Sequence, residues 1–138
     1  MWTFRKQGSS QTTKQRGDAA EEAALAHLQR HGLRLVQRNF KSPGRGGGEV
    51  DLIMRAPDGT LVFVEVRQRS GSSRGGAAAS ITALKQRRVI FAARHFLHRH
   101  GIEPPCRFDV VLLDTGMTAE DTPQIEWLQG AFDASATY

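Results

Sequence analysis

Apolar and polar positions change period several times along this chain. Ala24, Leu25 and Leu28 recur at helical spacing, and Asp18-Ala19-Ala20-Glu21 ahead of them reads as a capping box with Asp18 in the cap position. Gly32 closes that segment, so the pattern predicts a helix from Asp18 to Gly32. Leu33–Phe40 then reads as a strand with Leu33, Leu35 and Gln37 on one side. Glu49–Ala56 and Thr60–Arg67 are two further strands, joined by Pro57-Asp58-Gly59. Proline at the second turn position and glycine at the left-handed one suit a three-residue hairpin loop with a bulge. A helix from Ser80 to about His100 follows, with Ile81, Leu84, Val89, Ala92, Phe96 and Leu97 on its buried side and Gly101 as its stop. Strands at Arg107–Leu113 and Ile125–Leu128 complete the order α-β-β-β-α-β-β. That order predicts an α/β fold, a mixed central sheet flanked by helices.

The segments between these elements divide the chain into three parts. Residues 1–16 are polar and basic and read as a disordered N-terminal arm, 17–132 as one domain, and 133–138 as a tail. Residues 41–48 and 70–78 are rich in glycine and serine and read as loops, the first a flexible flap.

At 138 residues and 39% hydrophobic content, the chain can bury a core without disulfides or a structural metal. No apolar run is long enough for a membrane span, and the first residues lack a signal-peptide core. Cys106 stands alone, which excludes an internal disulfide and suits a reducing cytoplasm. The net charge of +5 is unevenly spread. Residues 67–107 hold Arg67, Arg69, Arg74, Lys85, Arg87, Arg88, Arg94, Arg99 and Arg107 against Glu103 alone, while 108–138 hold only acids. Such sorting presents a basic surface, as a nucleic-acid partner requires. A solvated face that favours solubility would carry the same charges.

The hairpin holds the candidate chemistry. With a three-residue loop Ala56 pairs with Thr60, which puts Asp51 opposite Glu65 and Glu49 opposite Arg67. Opposite side chains lie roughly 4.5–5.5 Å apart at Cβ, where like charges destabilise. Glu65 shares its face with Leu61 and Phe63, and Asp51 with Ile53, so this is no ordinary solvated face. Two such carboxylates call for a hard cation, and Mg²⁺ takes one or two carboxylates and completes its shell with water and phosphate oxygens. Charge repulsion alone further implies that Asp51→Ala stabilises the chain when no cation is present. The alternative is that both acids end their strands in solvent beside arginines, and a four-residue loop would put them on opposite faces.

An ordered set of residues carries a resemblance. Gly17, Glu21, Ala24 and Leu28, Asn39-Phe40, Gly48-Glu49-Val50-Asp51-Leu52-Ile53, Phe63-Val64-Glu65-Val66-Arg67, Lys85 and Arg107-Phe108-Asp109-Val110-Val111 resemble the bacterial YraN family over about residues 17–132. That family is similar to Holliday-junction resolvases within the restriction-endonuclease-like superfamily. The resemblance implies a restriction-endonuclease-like three-layer sandwich and a PD-(D/E)xK-type site. Asp51 and Glu65 would be its metal ligands, with the Val66 carbonyl as a third. It implies Mg²⁺ or Mn²⁺ as cofactor, DNA as partner, branched or structured DNA as substrate, and a symmetric homodimer. Glu21 matches an extra acid brought to the metal, although it also fits the capping box. Glu49 either contacts the metal or pairs with Arg67. Arg67 stands where the motif usually has lysine; arginine stays protonated, so it offsets charge and is no general base. Lys85 supplies an amine from the helix, or a phosphate contact.

The sequence reading is therefore a Mg²⁺-dependent endonuclease with Asp51, Glu65, Arg67 and Lys85 as catalytic residues and Asp51, Glu65 and Glu21 as metal ligands. Arg45, Arg69, Arg74, Lys85 and Arg88 are its nucleic-acid contacts. A non-catalytic nucleic-acid-binding module and a protein–protein adaptor are the alternatives. His27, His31, His95, His98 and His100 form no ligand set, and Asp109 reads as a structural partner of Arg107 or a helix end.

Overall fold

A computed structural model describes residues 13–44, 46–70, 81–115 and 124–134. The elements run α1 (Thr13–Arg30), β1 (Arg34–Lys41), β2 (Glu49–Arg55), β3 (Leu61–Ser70), α2 (Ala83–His100), β4 (Cys106–Thr115) and β5 (Gln124–Phe132). The five strands form one mixed sheet in chain order. β1–β2, β2–β3 and β4–β5 are antiparallel, while β3 and β4 are parallel and joined through α2.

Alternation sorts the strands into two faces and the helices into two layers around them. Leu52, Met54, Val62, Val64, Val111 and Leu113 pack beneath Ala20, Ala24, Leu25 and Leu28 of α1. Ile53, Leu61, Phe63 and Phe108 pack against Val89, Ile90, Ala92, Ala93 and Phe96 of α2 on the other face. The result is an α/β sandwich of three layers.

α1 begins at Thr13, five residues before the predicted start, so Thr13–Arg16 belong to a helix rather than to an arm. Residues 1–12 lie outside the described residues. Asp18 is therefore inside the helix and caps nothing; Lys14, one turn earlier, donates to its carboxylate at 3.0 Å. The C-terminal signal was sound: Gly32 has φ of 93°, Leu33 donates to Leu28 and Gly32 donates to Gln29, which is a Schellman closure. β1 departs from its predicted pattern because it is an edge strand with an irregularity between Leu35 and Gln37. Leu35 and Val36 are exposed there, and only Phe40 among its residues is buried.

α2 starts at Ala83 rather than Ser80, capped by the Thr82 hydroxyl on the Lys85 amide at 3.0 Å. Its buried side includes Ile90 and Ala93, which the sequence reading missed, whereas Leu84 is half exposed. β3 runs on to Ser70 and β5 to Phe132, both longer than predicted. The described part of the 41–48 segment is pinned rather than loose. Ser42 is buried, its hydroxyl accepts from the Gly48 amide at 2.7 Å, and its own amide donates to Gly48 O at 3.0 Å. Gly48 lies so close to α2 that a Cβ there would overlap the Arg88 carbonyl.

Asp109 fastens β5 to β4. Its buried carboxylate accepts two bonds from Arg107 at 2.9 and 3.0 Å, one from the Trp127 indole at 2.8 Å and one from the Gly130 amide at 2.9 Å. The register between these strands shifts between Phe108 and Val110, and Gly130, with φ of 61°, forms the extra turn of chain opposite. Asp109→Ala would strand a guanidinium, an indole N–H and a backbone amide, costing about 3–5 kcal/mol. Urea unfolding should show a lower midpoint with an unchanged slope; an unchanged midpoint would mean the network does not hold β5.

Candidate metal and carboxylate site

The hairpin register follows from its loop. Ala56 donates to Thr60 O, Gly59 adopts φ of 95°, and the pairs are Arg55↔Leu61, Met54↔Val62, Ile53↔Phe63 and Leu52↔Val64. One step further Asp51 and Glu65 come close enough for the Asp51 charge to raise the pKa of Glu65. The ladder does not continue past this point. The Val66 amide donates to Asp51 Oδ2 at 2.8 Å, so a side chain takes the place of a backbone acceptor.

Because β2 and β3 stop pairing here, Glu49 does not meet Arg67. Its ion pair is with Lys85, whose Nζ lies 3.4 Å from Glu49 Oε2 and 3.5 Å from Glu65 Oε2. Arg67 is further away, at 4.0 Å from Glu65 Oε2 along the same strand face. A lysine amine thus reaches Glu65 from α2, in the next layer of the sandwich.

α1 contributes Glu21. Ala20, Ala24, Leu25 and Leu28 make its buried stripe, and at 3.6 residues per turn Glu21 falls within that stripe. Its capping-box role is excluded, since the helix starts eight positions earlier at Thr13. Instead its carboxyl lies near enough to Asp51 and to the Asn39 side chain to be influenced by both. Asn39 holds φ of 50°, a left-handed conformation that asparagine tolerates. The sequence reading gave Asn39 no role, and the Asn39-Phe40 dipeptide at the end of the first strand was its only trace.

Electrostatics here are dominated by exclusion of water. Burial, then the neighbouring Asp51 charge, pushes Glu65 up to about 8, against the pull of Lys85 and Arg67. Burial also raises Asp51, opposed by the Val66 amide and Lys85. Glu21 is raised by burial and by Asp51. Burial alone would lower Lys85, but Glu65, Glu49 and Asp51 together raise it, so its amine stays charged. Glu65 Oε1 and Glu21 Oε1 are buried and find no donor among the described residues. Such orphaned oxygens suit a cation (an oxygen-only, hard donor set), with Asp51 and Glu65 as its two carboxylates. Among the described residues no three His, Cys, Asp or Glu side chains converge closely enough to cage a metal, so the acids offer a partial shell. Asp51→Ala would also lose the bond from Val66, a cost that opposes the stabilisation expected from relief of repulsion.

The predicted nucleic-acid contacts fare unevenly. Lys85 is turned into the acidic cluster, and Arg88 lies exposed on α2. Arg69 is on β3 opposite Asp114, while Arg45 and Arg74 lie outside the described residues. No helix among the described residues is long and apolar enough to cross a membrane.

A raised acid gives a definite pH signature. Folded Glu65 keeps its proton to about 8, whereas unfolded it releases it near 4.5, so stability without divalent cations should fall as pH rises across that window. Asp51 acts in the same direction, and His27, lowered by burial, acts against it near 6.5. Melting temperatures in chelator should decline across this window in the parent, and Glu65→Gln should remove most of the decline. A parent with no such decline beyond that of Glu65→Gln would show that Glu65 titrates as an ordinary acid.

The comparisons with known proteins extend over this whole framework. The family model described as "Uncharacterised protein family UPF0102" matches residues 20–113, from Ala20 on α1 to Leu113 on β4. A UPF0102 protein of Albidiferax ferrireducens is 68% identical over 123 residues, covering 89% of this chain and 91% of the relative. One of Polaromonas naphthalenivorans is 65% identical over 126 residues, covering 90% and 82%. A third, from Polaromonas sp., is 62% identical over 133 residues, covering 95% and 89%. With its acids and Lys85 inside the matched span, the chain belongs to the uncharacterised protein family UPF0102.

Proposed function

We propose that this protein is a Mg²⁺-dependent nuclease acting on DNA, built on the restriction-endonuclease-like form of the three-layer sandwich. The observation that carries the reading is the buried Glu65 beside half-buried Asp51, with the Lys85 amine 3.5 Å from Glu65. A structural acid pair gains nothing from being held where its charges repel. A site that takes up a cation there does.

In this reading Asp51 and Glu65 would hold the metal, Mg²⁺ or Mn²⁺, with Glu21 as a further acid near Asp51. The bound cation would polarise the phosphodiester and acidify water. The remaining work falls to the chain. Val66 orients Asp51 through its amide. Glu65, raised to about 8, would have to be deprotonated to serve as a ligand. Lys85 and Arg67, both charged, offset the negative charge that grows on the phosphoryl oxygens. Arg88 and Arg69, with Arg45 and Arg74, contact flanking phosphates. Arg67 does not replace the motif lysine, because Lys85 already occupies its place beside Glu65.

A panel of linear, nicked, flapped and four-way DNA with Mg²⁺ or Mn²⁺ tests this. Cleavage should require the cation, and Asp51→Ala or Lys85→Ala should slow it roughly 100-fold or more. Arg67→Lys should stay within about 10-fold of the parent, since its charge and not its fork is used. Independently of turnover, Mg²⁺ should raise the melting temperature at alkaline pH in the parent and not in Glu65→Gln. A parent that neither cleaves any substrate nor gains stability from Mg²⁺ would end the nuclease reading. One that binds DNA and Mg²⁺ without cleaving would be a binding module of the same fold.

A further inference from the structure

The outward face of α2 is the most unusual exposed surface among the described residues. Leu84 is 51% and Phe91 50% exposed, and at a spacing of seven they lie on one stripe of the helix. Arg87, Arg88 and Arg94 bracket them and, with Gly46 of the preceding loop, line an open groove of about 440 Å³. α2 contains no acidic residue, and Arg87 and Arg88 have no acidic partner among the described residues. The same helix sends Lys85 into the carboxylate cluster, and Gly48 seats its Arg88 turn against the loop.

We infer that this groove receives an unpaired nucleotide of the nucleic-acid strand, with Phe91 against its base and Arg87 and Arg88 on its phosphates. The inference rests on the nuclease reading and adds the substrate class: DNA with a single-stranded or splayed nucleotide beside the scissile phosphate. Three features favour this occupant. An aromatic ring exposed among arginines is the arrangement that holds single strands, where stacking is indifferent to sequence and the cations follow the backbone. Paired DNA keeps its bases stacked inside the duplex and leaves nothing for Phe91 to stack on. A second copy of the chain would bring the same arginines onto themselves, and like charges facing each other oppose association. The position also fits, since Phe91 is six residues beyond Lys85, about 9 Å along the helix, under three nucleotides at roughly 3.4 Å each.

The test is equilibrium binding of the full chain without divalent cation, so that it is independent of cleavage. Fluorescently labelled probes would be a single strand, a flapped duplex and a flush duplex of matched length. Phe91→Ala should weaken the single strand and the flap roughly 5- to 100-fold and leave the flush duplex within about twofold. Phe91→Trp should keep the parent's preference. Arg87→Ala with Arg88→Ala should weaken all three probes and flatten the dependence on salt by roughly 0.7–0.9 per lost contact. Phe91→Ala with equal loss on every probe, or with none, would overturn the proposal. So would a parent that is dimeric through this face and becomes monomeric on Phe91→Ala. If the probes behave as expected but nothing is ever cleaved, only the nuclease reading falls.

Discussion

Two carboxyls held close together, Glu65 buried and Asp51 half-buried, are the constraint around which this molecule is arranged. Asp51 and Glu65 are brought together by a three-residue loop and the pairing behind it. Their approach is tolerable only with a proton or a cation between them. The neighbouring structure is organised to hold that arrangement. β2 and β3 give up a rung of their ladder so that Val66 can donate to Asp51. α2 puts an ammonium beside Glu65, and α1 turns Glu21 inward in the middle of an apolar stripe. Hydrophobic packing alone would favour none of these choices.

The parts of this that could be read from the chain are those set by local geometry. Loop length and period-two alternation were enough to place Asp51 opposite Glu65, and the element order was enough for a mixed sheet between helices. What escaped depends on neighbours distant in sequence. Glu49 opposite Arg67 is what an uninterrupted ladder requires, but the ladder ends at Leu52↔Val64 and Lys85 arrives from another layer. Asp18 to Glu21 satisfies the local rule for a helix start, and α1 nevertheless begins at Thr13, because capping preference is weak beside the packing of a longer helix. Leu35 and Leu84 were assigned to the core by periodicity alone; one lies on a sheet edge and the other on a face turned from the sheet. Glu21 was legible after all, since the spacing of Ala20, Ala24, Leu25 and Leu28 already encloses it.

Lysine placement is the clearest case of chemistry separating from sequence position. Arg67 lies where a strand motif usually carries lysine, yet it is 4.0 Å from Glu65 while Lys85 Nζ is 3.5 Å away. A charge is defined by where its side chain ends, and two elements from different layers can deliver it to one point. Mounting the amine on α2 also ties it to the Arg88 turn and to Gly48, which leaves no room for a side chain at that contact.

Asp109 shows what a buried acid looks like when it is only structural. It lies on β4 opposite Val64, one residue from Glu65 and on the other face of the sheet. Four donors surround it, two from Arg107, one from Trp127 and one from Gly130. Glu65 is equally hidden but has an oxygen with no donor and an acidity displaced by several orders of magnitude. Burial is therefore not what separates the two; satisfaction is. The folded chain supplies four donors to one buried carboxylate and leaves the other with an open acceptor, and an open acceptor is the feature on which the proposed cation site rests.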